Sequence, residues 1–425
     1  MTQTTRNKVL IKYIDRHTRY NIFNFIKWIV LAVITGLVVG GASSIFAKCI
    51  VLASAYRTAH KMIFLMLPLS GLLIVFLYEK YGSQDGGTNQ VLATIKSRDS
   101  IPLISAPLIF ASTLLTHLAG GSAGREGASI QFGGSIGSLL SRLAKLDEED
   151  NHVMVMCGMS AAFAAVFGTP MAAAVFAMEV ASVGVMYYSA LLPCMIASII
   201  ASRFALQFGV SPETFQVVEI PKLTVENGLK MGVIAAGCSL ICILFCLMLK
   251  YTGLVYGKYL KNPYLRIFVA GCAIILLTAL LGTGDYMGAG SNLIERAVEE
   301  GQARPLDFFW KMILTALTMR AGYRGGEIVP AFSIGATFGC ALGHALGFSP
   351  EIAAAAGMVA LFCGVTNCPV TAMLISFELF GFDGVSFYLI AISISYALSG
   401  YYSLYKDQTI VYSKYKARYV NHKTS

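Results

Sequence analysis

The feature that most constrains this chain is a set of uncharged apolar runs that are long enough to cross a lipid bilayer. Five of them are Trp28–Ala47, Met154–Met178, Val180–Ser202, Met231–Leu249 and Ile267–Gly284. A membrane-spanning helix needs about 20 predominantly apolar residues. Only 13% of the 425 residues are charged, whereas about a quarter are charged in soluble domains. The sequence therefore predicts an all-α, polytopic integral membrane protein.

Basic residues are concentrated at the two ends of the chain. They are Arg6, Lys8, Lys12, Arg16, Arg19 and Lys27 before the first run, and Lys406, Lys414, Lys416, Arg418 and Lys423 after the last. Because Lys and Arg favour the cytoplasmic side, we expect a cytoplasmic N-terminal segment (1–27), a cytoplasmic tail (413–425) and an even number of crossings. This explains the net charge of +9 without a nucleic-acid partner. The scattered cysteines form no CxxC pair, so neither a metal site nor a cofactor is predicted.

The middle of the chain contains two copies of one pattern. The anchors are Gly158, Pro170 and Glu179 in the first copy and Gly357, Pro369 and Glu378 in the second, each pair 199 residues apart. Two upstream pieces, "GGSIG" with "GATFG" and "GTNQV" with "GSNLI", recur in the same order at offsets of 202 and 203. We predict membrane repeat 1 over 28–212, a polar connector over 213–228 and membrane repeat 2 over 229–412. Sequence alone leaves open whether the repeats are inverted or parallel.

Duplicated membrane proteins commonly place a transport site between their repeats, at the N-termini of broken helices. Those N-termini carry positive dipole ends, which suit an anion. In "HLAGGSAGREGASIQFGGSIGSLL" (117–140), Glu126 is the only acid. A carboxylate in an apolar segment is costly unless it is used or satisfied. At a helix N-terminus it would accept backbone N–H bonds and imitate an anion.

Arg125 precedes this acid directly. Because adjacent residues of a helix do not face each other, we expect Arg125 to be a structural or outer-mouth charge and a poor direct partner of Glu126. The competing interpretation is that Arg125 simply neutralises the carboxylate.

Four short motifs, in this order, resemble the CLC family of anion channels and proton-coupled anion antiporters. They are "GREGA" at Gly124–Ala128, "FGTPMA" at Phe167–Ala172, "GEIVP" at Gly326–Pro330 and "IVYS" at Ile410–Ser413. The resemblance implies a CLC-type fold of many tilted and broken helices built from two inverted repeats. It also implies a homodimer with one pore per subunit, in the plasma membrane of a prokaryote.

The resemblance assigns roles to individual residues. Glu126 matches the gating glutamate, which competes with the anion and carries a proton, and Tyr412 matches the tyrosine whose hydroxyl reaches the central anion. The anion-binding residues that it implies are Gly86, Gly87, Thr88, Gly124, Arg125, Glu126, Gly127, Ile328, Val329 and Tyr412.

Three departures from the family pattern concern selectivity and coupling. Gly86 stands where the anion-coordinating serine usually is, which leaves backbone N–H groups and the Thr88 hydroxyl; "GGTNQV" is similar to the fluoride-exporting branch. Glu327 is a second intramembrane acid, also similar to that branch, although the branch has threonine where this chain has Val329. Val180 replaces the usual inner proton-transfer glutamate. Glu327 is therefore either an inner proton relay or an N-cap charge at a hydrated helix end.

We expect membrane transport of halide anions, with chloride as the first choice, in exchange for protons, with Glu126 and Glu327 as gating and proton-transfer residues. A passive chloride channel, a fluoride/proton antiporter and, remotely, a membrane enzyme remain open. Only 13 residues follow Tyr412, so we expect no nucleotide-binding regulatory domain.

Overall fold

The computed structural model describes residues 3–82, 86–97 and 101–424, with side chains from residue 21 onward. The basic side chains between Arg6 and Arg19, which support the predicted cytoplasmic N-terminal segment, lie outside the described side chains. The described part folds into sixteen α-helices, two short 3-10 helices and a small sheet.

Each half of the chain contributes eight α-helices. The first half contains α1 (Gln3–Ala59), α2 (Leu67–Tyr81), α3 (Thr88–Thr94), α4 (Ser105–Leu118), α5 (Glu126–Leu143), α6 (Glu148–Phe167), α7 (Pro170–Glu179) and α8 (Leu191–Gln207). The second half contains α9 (Val225–Tyr259), α10 (Pro263–Leu281), α11 (Ser291–Val298), α12 (Asp307–Ala321), α13 (Ile328–Ala345), α14 (Pro350–Thr366), α15 (Pro369–Phe380) and α16 (Val385–Leu398). The 3-10 helices are Lys61–Met66 and Tyr188–Ala190. The connector between the halves is the coil 208–224, so α9 begins inside the predicted connector.

Several of these helices are long and apolar enough to span a membrane, as the sequence predicts. Seven of the described helices are long and apolar enough to cross a membrane: α1, α2 with its preceding 3-10 turn, α6, α8 with its preceding 3-10 turn, α9, α10 and α13. Five further apolar helices are shorter. The uncharged run Met154–Met178 is divided between α6 and α7, because Gly168 adopts a φ of 83° and Pro170 starts the new helix. A left-handed glycine followed by proline ends one helix and starts another.

The two repeats are inverted. The Glu179 carboxylate, at the end of α7, accepts the N–H groups of Val370 (3.1 Å) and Thr371 (2.9 Å) at the start of α15. In return, the Glu378 carboxylate at the end of α15 accepts two N–H groups at the start of α7. Each helix therefore ends where its counterpart begins, so equivalent helices run antiparallel.

The repeated glycines let equivalent helix pairs pack at backbone contact. A Cβ on Gly133 of α5 would lie 2.2 Å from the carbonyl oxygen of Gly158 in α6. The corresponding distance from Gly335 of α13 to the carbonyl oxygen of Gly357 in α14 is 2.4 Å. Small residues at such contacts allow close packing in membranes, where no hydrophobic driving force joins helices.

The end of the chain folds back onto the first repeat. Strand β1 (Ser182–Val183) pairs in parallel with β2 (Thr409–Tyr412), which pairs antiparallel with β3 (Tyr419–Lys423). The predicted tail 413–425 is thus, over its described residues, one arm of a hairpin. We call the face of the molecule that carries this sheet the tail side and the face that carries the coil 208–224 the connector side. They lie at opposite ends of α8, which starts shortly after β1 and ends at the connector.

Candidate anion and proton site

The site lies where the N-termini of α5 and α13 meet. Gly124 and Gly326 exchange two backbone hydrogen bonds, of 2.7 and 2.8 Å, immediately before the two helices begin. A Cβ on Gly326 would lie 2.5 Å from the Gly127 nitrogen. Two helix N-termini are therefore in direct contact, and each brings a positive dipole end and first-turn N–H groups that have no partner within the helix. Such a junction favours a negative charge.

Glu126 supplies that negative charge. It is completely buried, and its Oε2 accepts the Arg125 backbone N–H at 3.0 Å. A Cβ on Gly124 would lie 2.9 Å from the same oxygen. The carboxylate is folded back onto the start of its own helix, where it takes up N–H groups that could otherwise hold an anion.

Arg125 is a direct partner of Glu126, and the expectation that it is a poor one is wrong. Its Nε lies 3.3 Å from Glu126 Oε1. Arg125 is the N-cap residue and lies outside the regular turns of α5, so the facing rule for helical neighbours does not apply to it. Its Nη2 also forms an ion pair at 2.9 Å with Glu213, a connector residue that sequence reasoning missed.

The start of α3 adjoins the start of α5. The Thr88 hydroxyl donates to the Gly127 carbonyl oxygen at 3.3 Å. Gly87 precedes α3 with a φ of 70°, a conformation that favours glycine. The Gly86 N–H donates to the Gln90 side chain at 2.8 Å. The structure thus brings Gly86, Gly87 and Thr88 next to the α5 N-terminus.

Glu327 holds the position in the second repeat that Arg125 holds in the first, 202 residues earlier. Its side chain is 20% exposed, and its Oε1 lies 3.9 Å from Arg320 Nη2. It precedes α13 without a side-chain cap bond among the described residues. Ile328 and Val329, which follow, are buried. Arg320 also lines a cavity of about 480 Å³ on the tail side, together with Lys250, Lys406 and Lys423.

Two tyrosines near the end of the chain lie in very different places. Tyr412, the predicted anion ligand, is on β2, 47% exposed, and its ring contacts that of Tyr419. Tyr405 is 4% exposed, packs in the main core and interacts electrostatically with Glu327. Its hydroxyl is buried and has no hydrogen-bond partner among the described residues. The structure therefore buries Tyr405 within electrostatic reach of the second acid, whereas Tyr412 lies on the half-exposed hairpin.

Val180 lies where the missing inner glutamate was expected. It is buried at the end of α7, and its carbonyl oxygen accepts the Gln408 amide at 2.9 Å. Gln408 also donates to the Thr366 carbonyl oxygen. A neutral amide therefore connects this point to the C-terminal segment.

Comparison with known proteins adds a family assignment to this geometry. Residues 70–400 match the family model described as voltage gated chloride channel. A chloride/fluoride channel protein of Pseudomonas syringae pv. tomato is 33% identical over 399 residues, covering 92% of this chain and 88% of the relative. An H(+)/Cl(-) exchange transporter of Vibrio cholerae is 26% identical over 272 residues, covering 60% of this chain and 58% of the relative.

Two solved structures share the fold. A CLC-type fluoride/proton antiporter superimposes with a TM-score of 0.87 at 33% identity, covering 91% of this chain and 98% of the other. A slow cyanobacterial Cl⁻/H⁺ antiporter superimposes with a TM-score of 0.77 at 19% identity, covering 88% of this chain and 94% of the other.

Proposed function

The chain belongs to the voltage gated chloride channel family, and from this premise we propose that it exchanges halide anions for protons across a membrane. The observation that carries the proposal is the buried Glu126 carboxylate, folded onto N–H groups at a junction of two helix N-termini. This family comprises channels and transporters, which supports a non-enzymatic role.

Glu126 acts as a gate because its carboxylate and the halide compete for the same donors. When ionised, it takes the N–H groups at the start of α5 and blocks the site. When protonated, it loses the charge that holds it there, since hydrogen bonds from N–H groups favour the charged form. A halide then replaces it at Gly124, Arg125 and Gly127, with the start of α3 adjoining. Movement of an anion is thereby linked to movement of a proton.

Glu327 serves as the proton relay on the tail side. Its partial exposure and its proximity to the basic cavity support this role, because a relay must contact water. The Tyr405 hydroxyl, buried near Glu327 and unpartnered in the described part of the chain, is suited to donate to a halide between the two acids. A phenol is a neutral donor, which can hold an anion without trapping it.

The orientation follows from the basic ends of the chain. With both termini cytoplasmic, the tail side faces the cytoplasm and the connector side faces outward. Glu126 then exchanges protons with the outside and Glu327 with the inside. We place the protein in a prokaryotic plasma membrane as a homodimer, as the family resemblance implies.

Fluoride is the halide that we favour, although the sequence put chloride first. The relative and the solved structure at 33% identity are a chloride/fluoride channel protein and a fluoride/proton antiporter. The similarity to the chloride exchangers is lower, at 26% and 19%. The small donor set at Gly86–Thr88, without a serine at Gly86, also agrees with the fluoride-exporting branch.

The test is the reversal potential of purified protein in liposomes under a proton gradient, with fluoride and then with chloride. Exchange predicts a potential displaced from the anion Nernst potential, and Glu126→Gln and Glu327→Gln should each remove the displacement. Glu226→Gln is the matched control, because Glu226 is 76% exposed at the start of α9.

A wild-type potential equal to the anion Nernst potential would identify a passive channel, the function that Val180 favours. If Glu126→Gln keeps the displacement, Glu126 is not the gate.

A further inference from the structure

The connector carries an acid that the gating scheme does not use. Glu213 lies in the coil 208–224, far along the chain from Glu126, and its N–H donates to the Phe167 carbonyl oxygen at the end of α6. This bond holds the connector across the α6 end, where the Arg125 guanidinium also reaches the Val166 carbonyl oxygen at 3.4 Å. The Glu213 side chain is only 17% exposed.

Arg125 is shared between two carboxylates. Its Nη2 lies 2.9 Å from Glu213 Oε1, and its Nε lies 3.3 Å from Glu126 Oε1. The shorter contact is to the connector and not to the gate. The second oxygen of Glu213 is buried and has no hydrogen-bond partner among the described residues. A buried carboxylate oxygen without a donor is costly, so the geometry of Glu213 is not explained by its own stability.

We propose that Glu213 is a positioning residue for the gate: it holds the Arg125 guanidinium and so weakens the attraction of Arg125 for the Glu126 carboxylate. The proposal rests on the proposed function, in which Glu126 must bind and release a proton. It gives the connector a role in the transport cycle.

Charge balance supplies the physical reason. With Arg125 and both acids ionised, the cluster carries one net negative charge, and protonation of Glu126 makes it neutral. Without the Glu213 charge, the same protonation would leave an unpaired cation in a buried site, which is costly. Glu213 therefore favours protonation of Glu126. It also neutralises Arg125 while the gate is away, so that an entering halide does not meet a full positive charge.

The groups that act on this cluster can be named. Among the described residues, the Glu126 carboxyl interacts electrostatically with Arg125 and with Glu213. The Glu213 carboxyl interacts with Arg125, and so does the His117 imidazole on α4. Burial raises the pKa of the Glu213 carboxyl above its usual value, and the Arg125 charge opposes this rise. The geometry of the ion pair, and not this shift, carries the proposal.

The experiment compares Glu213→Gln with wild type by halide flux from liposomes over a range of external pH. Glutamine keeps an acceptor oxygen for Arg125 but removes the charge. We expect the pH midpoint of flux to move about 1 unit towards acid, the size typical of a neighbouring charge. We also expect a several-fold lower KM for external halide with a lower kcat, because the uncompensated Arg125 binds the anion more tightly.

Three further variants separate the effect of the Glu213 charge from a general structural defect. Glu213→Asp retains the charge and should restore a wild-type midpoint. Glu219→Gln, an exposed connector acid, is the matched control and should change nothing. In a Glu126→Gln background, Glu213→Gln should no longer shift the pH profile, whereas a purely structural defect would lower flux equally in both backgrounds.

An unchanged midpoint and KM in Glu213→Gln, with pH dependence lost in Glu126→Gln, would overturn the role of Glu213 alone. Equal flux defects in both backgrounds would overturn it as well. If Glu126→Gln itself retains normal pH dependence, the proposed function fails.

Discussion

Replacing Glu179 by glutamine should destabilise the protein without abolishing proton coupling. Glu179 lies next to Val180, where the inner proton-transfer acid was expected, so it is the alternative candidate to Glu327 for proton transfer. Its carboxylate, however, is fully engaged: Oε1 accepts Val370 N–H (3.1 Å), and Oε2 accepts both the N–H (2.9 Å) and the hydroxyl (2.6 Å) of Thr371. We interpret Glu179 as the cap of α15.

The magnitude follows from these bonds. A glutamine side chain has one acceptor oxygen, which can serve Thr371, while its NH₂ group would face the Val370 N–H. The variant thus loses one charge-assisted hydrogen bond, worth about 1.5–3 kcal/mol. It also loses the attraction of a negative charge to a helix N-terminus, worth about 0.3–1 kcal/mol. The free energy of unfolding should fall by about 2–4 kcal/mol.

Glu378→Gln is the companion variant, because Glu378 caps α7: its two carboxylate oxygens accept the Met171 and Ala172 N–H groups, each at 2.9 Å. Met171 is 40% exposed, so its N–H can more easily donate to solvent when the carboxylate is replaced. We expect a smaller loss, about 1–2 kcal/mol. The exposed Glu226→Gln control should change stability by less than about 0.5 kcal/mol.

The assay pairs thermal unfolding of the purified protein in detergent with the liposome reversal potential. Glu179→Gln should show the larger fall in melting temperature and a normal displacement from the anion Nernst potential. A Glu179→Gln protein with normal stability and a potential equal to the anion Nernst potential would refute the reasoning and place Glu179 in the proton pathway.

Three further predictions concern the site and the C-terminal hairpin. Gly326→Ala should reduce halide flux more than tenfold with the fold retained, because the added Cβ would lie 2.5 Å from the Gly127 nitrogen and separate the two helix N-termini. The control Gly228→Ala should transport normally, because its Cβ would meet no described atom within 4 Å. Tyr405→Phe should raise the KM for halide in flux assays and Tyr412→Phe should not; the reverse result would return the ligand role to Tyr412. Burial lowers the pKa of Lys96 to about 8, and the charge of Asp407 opposes this lowering. Between about pH 8 and 10 the unfolded chain therefore binds more protons than the folded chain, so the folded state becomes more stable as pH rises. The melting temperature of wild type should increase over that range relative to that of Lys96→Met, and parallel pH profiles of the two proteins would contradict this.

Much of the fold could be predicted because two kinds of pattern are local. Uncharged apolar runs predict membrane-spanning helices, and the recurring Gly, Pro and Glu residues predict a duplication. In the structure the two copies are inverted relative to each other. The repeat pattern alone does not give the direction of the second copy, since a sequence repeat is the same whichever way its helices point; the family resemblance implies an inversion. The reciprocal contacts of Glu179 and Glu378 show the inversion directly.

The features of the site that sequence reasoning did not indicate share one physical cause, which is that they depend on contacts between distant segments. Glu213 lies in the most polar part of the middle of the chain, and nothing local distinguishes it from Glu219. Tyr405 is one of several tyrosines near the C-terminus, and only burial separates it from Tyr412. Arg125 was misjudged because the facing rule holds for residues inside a helix, and Arg125 precedes one.

The symmetry of the fold makes the asymmetry of the site informative. At equivalent positions the first repeat has Arg125 and Glu126, and the second has Glu327 and Ile328. A carboxylate on the first residue of a helix can fold back onto the N–H groups there. Of the two equivalent helices, α5 begins with the acid Glu126 and α13 with the apolar Ile328. The acid one residue earlier in the second repeat, Glu327, precedes its helix, is partly exposed, and its Oε1 lies 3.9 Å from Arg320 Nη2. The inverted repeats therefore bring two equivalent helix N-termini together, and the acid on the first helical residue is present on the α5 side and absent on the α13 side. Under the proposed function, this asymmetry lets Glu126 gate the site while Glu327 exchanges protons.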